Sequence, residues 1–185
     1  MSGTLMSVSL ARPWLTVDLA GTWRALSFAP YGSGDVACDR IVWREVRDAD
    51  LTAEFDAIAW LAGEVGSTGV VAMLTSRNVE RFVHLRVEVG DVVAEAVVTV
   101  GLSNAERVGA RRGVSAGVGT INVAVAVSEG LTMAARIETL SIAASARTAA
   151  VLAAAVEIET GLATGTGTDC IVVASPEGPR GFAGM

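Results

Sequence analysis

Apolar and polar positions alternate between residues 82 and 100 through two runs that meet at Gly90-Asp91. A two-residue glycine-containing turn matches the twist of paired strands, so the segment is predicted to be a β-hairpin. The pairing sets Val89 opposite Val92, Val87 opposite Ala94, Leu85 opposite Ala96 and Val83 opposite Val98. All eight share one face, which is expected to point into the core. The other face sets Arg86 opposite Glu95 and His84 opposite Val97, a register that the charge pair supports. On that face His84 is expected to be a solvated strand histidine.

The same pattern reading places further elements. Residues 23–28 and 40–46 read as short strands around a turn-rich segment, SFAPYGSGD. Leu51, Phe55, Ile58, Ala62 and Val65 recur at helical spacing, with Gly66 as the stop. GVVAML (69–74) is the continuous apolar run of a strand buried on both faces. A strand is predicted over 120–127, with Ile121, Val123, Val125 and Val127 alternating with Asn122, Ala124 and Ala126. From about Thr132 a long helix carries Met133, Ile137, Leu140, Ala144, Thr148, Val151 and Ala155 on one stripe. The loop ATGTGTD then leads into a buried strand, CIVVA. Strands outnumber helices and hairpins are present, which predicts an α+β fold with a mixed, mostly antiparallel sheet and packed helices. No repeat or linker divides the sequence, so residues 1–185 are read as a single domain.

Composition narrows the function classes. Hydrophobic residues make up 51% and charged residues 18%, as in a folded globular protein. The formal net charge is −6, and all 14 basic residues are arginine. An acidic chain without a basic stripe argues against nucleic acid, where phosphate neutralisation supplies most of the affinity. Cys38 and Cys170 lie far apart, and His84 is the one histidine, so a conventional zinc site is not expected. Isolated cysteines fit a reducing compartment. The N-terminus lacks the pattern of a signal peptide, and the apolar stretch 140–156 is interrupted by Ser141, Ser145, Arg147 and Thr148. A cytoplasmic protein that does not enter a membrane is the expectation; assembly into a homo-oligomer is left open.

Two motifs invite over-reading. GVSAG (113–117) matches a serine-hydrolase elbow, but that elbow opens a helix and needs a later histidine. Here Ser115 is followed by a predicted strand, and His84 lies upstream. The GTGTD run lacks a lysine and precedes a strand, whereas a phosphate loop opens a helix.

Three other segments concentrate glycine with small polar residues: Ser103-Asn104-Ala105-Glu106, Gly119-Thr120-Ile121-Asn122, and Ala163 to Asp169. Each sits at a predicted strand end, where a rigid sheet can present loop side chains to a ligand. TVGLSNAERVG (99–109), GTINVAV (119–125) and ATGTGTDCIVVASP (163–176) resemble signature segments of the adenosylcobinamide amidohydrolases. So do SFAPYGSG (27–34), MLTS (73–76) and SARTAAV (145–151). The resemblance covers most of the chain from about residue 23, and ATGTGTD before an apolar strand is its most specific element. Family members are expected to continue past the segment resembling GFAG with a His-Thr pair and a terminal helix, where this sequence ends at Met185.

The resemblance implies hydrolysis of the amide joining aminopropanol to a corrin side chain of adenosylcobinamide, giving adenosylcobyric acid for coenzyme B12 salvage. It implies a corrinoid substrate and no cofactor beyond the cobalt that this substrate carries. Substrate contacts are expected at Ser27, Gly32, Gly34, Gly165, Thr166, Gly167 and Thr168. Amide hydrolysis needs an activated nucleophile, oxyanion stabilisation and a proton for the departing amine. A carboxylate activating water is the simplest scheme here, with Asp169 as base and Glu106 as the acid. Asn104 and Asn122, with the amides of Gly165 and Gly167, are expected to face the carbonyl oxygen. A threonine nucleophile, Thr166 or Thr168, stays open, as does self-cleavage at Gly119-Thr120. A non-catalytic corrinoid binder and an amidase acting on another small amide are the competing readings.

Overall fold

A computed structural model describes residues 3–47, 55–110 and 119–181. The GVSAG motif lies outside the described residues. So do residues 51–54, which begin the predicted first helix.

The chain opens with a hairpin that the pattern reading missed. β1 (Met6–Ala11) pairs antiparallel with β2 (Trp14–Ser27), which extends well upstream of the predicted strand. β3 (Gly34–Glu45) also starts earlier than expected and pairs antiparallel with β2. Their register shifts between Asp18 and Trp23, an irregularity of the kind that bends a strand. The helix α1 (Ala57–Val65) is capped by the Asp56 carboxylate, which accepts from Ala59 N–H, and ends at Gly66 in the left-handed region, as the sequence indicates.

β4 (Val70–Thr75) runs parallel to β3 and is buried almost throughout. A 3-10 turn (Val79–Arg81) leads to β5 (Val83–Val89) and β6 (Val92–Val100). β7 (Ala105–Glu106) lies in the following loop, and β8 (Ile121–Val127) pairs antiparallel with β6. The helix α2 (Met133–Ala153) starts at Thr132, whose hydroxyl accepts from Ala135 N–H. Two short strands, β9 (Glu157–Ile158) and β10 (Gly161–Leu162), form a small ribbon. They precede β11 (Gly165–Thr166) and the buried β12 (Cys170–Ser175).

The main sheet has the order β4-β3-β2-β12-β8-β6-β5, with β1 added beside β2. β3–β4 and β8–β12 are parallel and the other pairs antiparallel, so the fold is α+β with a mixed, mostly antiparallel sheet. Contacts between strands that are not neighbours show how far it curls. Leu5 and Met6 donate backbone N–H groups to Glu95 on β6. Tyr31, just beyond β2, bridges to Ala72 of β4. Asn122 on β8 donates to Leu74 O on β4.

The concave face holds the larger core, including Leu15, Val17, Ile41, Trp43, Met73, Val97, Ala124 and Val172. The convex face is covered in two places. α2 packs Leu140, Ala143, Ala144 and Val151 on Ile121, Ile171 and Val173, while α1 packs Leu61 on Val42 and Ala72. Met133 and Ile137, placed on the packing stripe by periodicity, are exposed. Ala135 and Arg136 are buried instead. No helix among the described residues is long and apolar enough to cross a membrane.

The hairpin register is as predicted, residue for residue, but its faces are reversed. Val93, Glu95, Val97 and Thr99 are buried on the concave side, whereas Val83, Leu85, Val87 and Val89 are exposed. Both faces of β6 are largely apolar, so alternation alone does not say which is covered. The buried side is the one where Glu95 finds partners. Its carboxylate accepts from Leu5 and Met6 N–H and from Arg86, and its Oε2 lies 3.1 Å from His84 Nε2. His84 is therefore the partner of a buried carboxylate rather than a freely solvated side chain.

Candidate active site

The three glycine-rich segments meet at the N-terminal ends of β8 and β12, which run parallel with Cys170 beside Asn122. β7 and β11 zip the loops together, setting Glu106 opposite Gly165 and Ala105 opposite Thr166. Thr164 N–H donates to Glu106 O, and Val108 N–H donates to Thr164 Oγ1. The third segment is tied in by Thr168 Oγ1 donating to Gly119 O, and by Thr120 Oγ1 donating to Thr168 O at 2.7 Å.

Asp169 is the knot of this arrangement. Its carboxylate accepts from Ile121 N–H and Thr166 N–H, both at 2.9 Å, from Thr166 Oγ1, and from Arg147 of α2. Burial lowers the Arg147 pKa from its ordinary value, yet a guanidinium stays charged in practice and completes an ion pair with Asp169. The glycine at 165 follows from this pair. A Cβ there would sit 2.5 Å from Asp169 Oδ2 and also against the Arg147 guanidinium.

Glu106 is placed differently. Its carboxylate lines an open cavity of about 570 Å³ with Phe28, Arg107, Arg147, Thr164 and Asp169. It accepts no side-chain or backbone hydrogen bond among the described residues. It faces the backbone of Gly167, where a Cβ would stand 3.1 Å from Glu106 Oε1.

A second cavity, of about 230 Å³, lies on the concave side of the same loop. Asn122 and Cys170 reach it from β8 and β12, Thr120 and Thr168 from the motifs, and Thr75 and Ser76 from the end of β4. Asn122 is 1% exposed: its Nδ2 donates to Leu74 O, and its Oδ1 lies 3.2 Å from Thr120 Oγ1. Asn104 stands beside Gly119, with Nδ2 3.5 Å from Thr168 Oγ1 and a buried Oδ1 that has no hydrogen-bond partner among the described residues.

The sequence-predicted residues therefore gather around one loop but divide between two cavities. Glu106, Gly165, Thr166, Gly167 and Asp169 line the open one; Asn122 and Thr168 line the smaller one. Ser27, Gly32, Gly34 and Asn104 line neither. Ser27 Oγ donates to Gly32 O and accepts from Ala29 N–H, which fixes the turn between β2 and β3. Gly32 has φ +71°, and a Cβ there would lie 2.5 Å from Val70 O. From this segment the cavities take Phe28 and Pro30 instead.

Arg147, Arg107 and Thr120 went unassigned in the pattern reading. Arg147 sits within SARTAAV, the one arginine in the alanine-rich second half of α2, since Arg136 lies in the first turn, and that placement was its signal. No group of three or more His, Cys, Asp or Glu side chains among the described residues is arranged to hold a metal ion. Cys170, although in the smaller cavity, is no thiolate: burial pushes its pKa up to about 12.

No curated protein and no solved structure matches this chain. A family model described as adenosylcobinamide amidohydrolase matches residues 3–185 and so takes in all of the loops described above. With a match of that extent, the chain belongs to the adenosylcobinamide amidohydrolase family.

Proposed function

We propose that the chain hydrolyses the aminopropanol amide of adenosylcobinamide, releasing aminopropanol and adenosylcobyric acid. The observation that carries the mechanism is the contrast between the two carboxylates. Asp169 already accepts four hydrogen bonds, one from an arginine, and has little capacity left to take a proton from water. Glu106 faces the open cavity without a hydrogen-bond partner among the described residues. Glu106 is therefore the base and Asp169 a positioning residue, which exchanges the emphasis drawn from sequence.

In this scheme Glu106 removes a proton from water as its oxygen bonds to the amide carbon. The tetrahedral oxyanion is met by a backbone N–H of the Gly165–Thr168 loop, which Asp169 holds in place. Collapse breaks the carbon–nitrogen bond, and Glu106 returns the proton to the departing amine. The macrocycle, too large for either cavity, rests on the open side beside Phe28 and Arg107. The 230 Å³ cavity suits the small aminopropanol end, with hydroxyls from Thr75, Ser76 and Thr120 for its polar groups.

The test is incubation with adenosylcobinamide followed by chromatography and mass spectrometry. Aminopropanol and adenosylcobyric acid are expected in equal amounts. Corrinoid recovered intact, whether bound or free, removes the reading.

A further inference from the structure

We propose that two copies of this chain join through β5 into one continuous sheet. β5 is the edge of the main sheet. Its convex side carries Val83, Leu85, Val87 and Val89 at 50–72% exposure. Behind them Val92, Ala94, Ala96 and Val98 extend the same apolar surface, and α2 lies farther along, over β12 and β2. An edge strand with an apolar face and neither lysine nor proline is a ready template for another strand.

The strand is complementary to itself. Val89 and Val92 flank a two-residue turn, so they form a hydrogen-bonded pair and the backbone groups of His84 and Glu88 point away from β6. Antiparallel pairing of β5 with its copy about Val87 sets Arg86 opposite the second copy's Glu88, twice. It also sets Leu85 opposite Val89 and Val87 opposite itself, all on the apolar face. Within each chain Arg86 already bonds Glu88, so the pairing closes a ring of alternating charges on the concave side. Moving the two-fold axis to Arg86 or to Glu88 brings like charges face to face. Among these three registers charge selects the one centred on Val87, and the apolar stripe stays aligned in it.

Sedimentation velocity at roughly 100 μM chain is expected to give twice the 18.9 kDa chain mass. Val87→Lys places two ammonium groups on the axis and is expected to give monomer with an unchanged circular dichroism spectrum. Val87→Cys tests the register, because Cα atoms of a non-hydrogen-bonded pair lie about 4.5 Å apart, within disulfide reach. Mild oxidation is expected to link Val87→Cys chains covalently and to leave Val83→Cys chains unlinked, since Val83 would face Asp91 at the turn. A monomeric wild-type chain overturns the proposal, as does a dimer that survives Val87→Lys or a failure of Val87→Cys to cross-link. None of these readouts depends on hydrolysis.

Discussion

Arg147 on α2 and Asp169 at the head of β12 form the ion pair that holds the ATGTGTD loop in shape. The pair is mostly shielded, and Asp169 also ties down Ile121 and Thr166. Breaking a buried pair by removing one partner leaves an uncompensated charge. Arg147→Met and Asp169→Asn are therefore each expected to cost roughly 2–4 kcal/mol in urea unfolding. The double variant is expected to lose less than the sum of the two, because its second change removes a charge already stranded. Additive losses would show that the two side chains act separately.

Glu106 is expected to behave in the opposite way. Its carboxylate forms no hydrogen bond among the described residues, so Glu106→Gln should leave the melting temperature within about 2 °C of wild type. Loss of general-base catalysis is expected to lower kcat by roughly 10²–10⁴-fold, with KM little changed. A Glu106→Gln enzyme with wild-type kcat would remove Glu106 from the chemistry.

The hairpin shows what a sequence can and cannot disclose. Register is a local matter of turn length and facing pairs, and the six pairs read for β5 and β6 all recur in the structure. Which face is covered depends on elements far away in sequence: β1 reaching over to Glu95, and α2 stopping short of β5. β1 and the first half of β2 stayed hidden because a fourteen-residue strand with a register shift blurs a strict alternation. At the site, the place of each glycine-rich loop at a strand end was legible, whereas the division of their residues between two cavities was not. The ion pair of Asp169 was not legible, since its partner Arg147 is 22 residues away on a helix. The reversed face gives a direct measurement. Val97→Ala is expected to cost about 2 kcal/mol of stability, and Val83→Ala less than about 0.5 kcal/mol. The reverse order would restore the face inferred from alternation.

Glu95 gives the fold an acid limit. Burial opposes its ionisation, but hydrogen bonds from Leu5 N–H, Arg86, His84 and Met6 N–H outweigh burial and hold its carboxyl below the ordinary value of 4.5. A carboxyl with a depressed folded-state pKa binds protons more readily in the unfolded chain. Its contribution is thus complete above the ordinary value and is lost as pH falls toward the folded one. Urea midpoints are expected to drop between about pH 5 and pH 3 in the wild type, with part of that slope traceable to this residue. Glu95→Gln should be less stable at neutral pH and show a shallower acid slope. An unchanged slope would assign the acid limit to other carboxylates.

The two cysteines test the smaller cavity and the curled sheet together. Burial pushes the Cys38 thiol up to about 11 and the Cys170 thiol up to about 12. The thiolate is the reactive form, so at pH 8 both side chains are protonated as well as enclosed. A disulfide-exchange reagent is expected to find no rapidly reacting thiol in the native protein and two equivalents after denaturation. Preincubation with iodoacetamide should leave amide hydrolysis intact, because the proposed chemistry uses a carboxylate and water. Fast native labelling of Cys170 would mean that the cavity beneath Thr168 opens readily to solvent. If that labelling also abolished turnover, a thiol would have to be weighed against Glu106 as the group that drives the reaction.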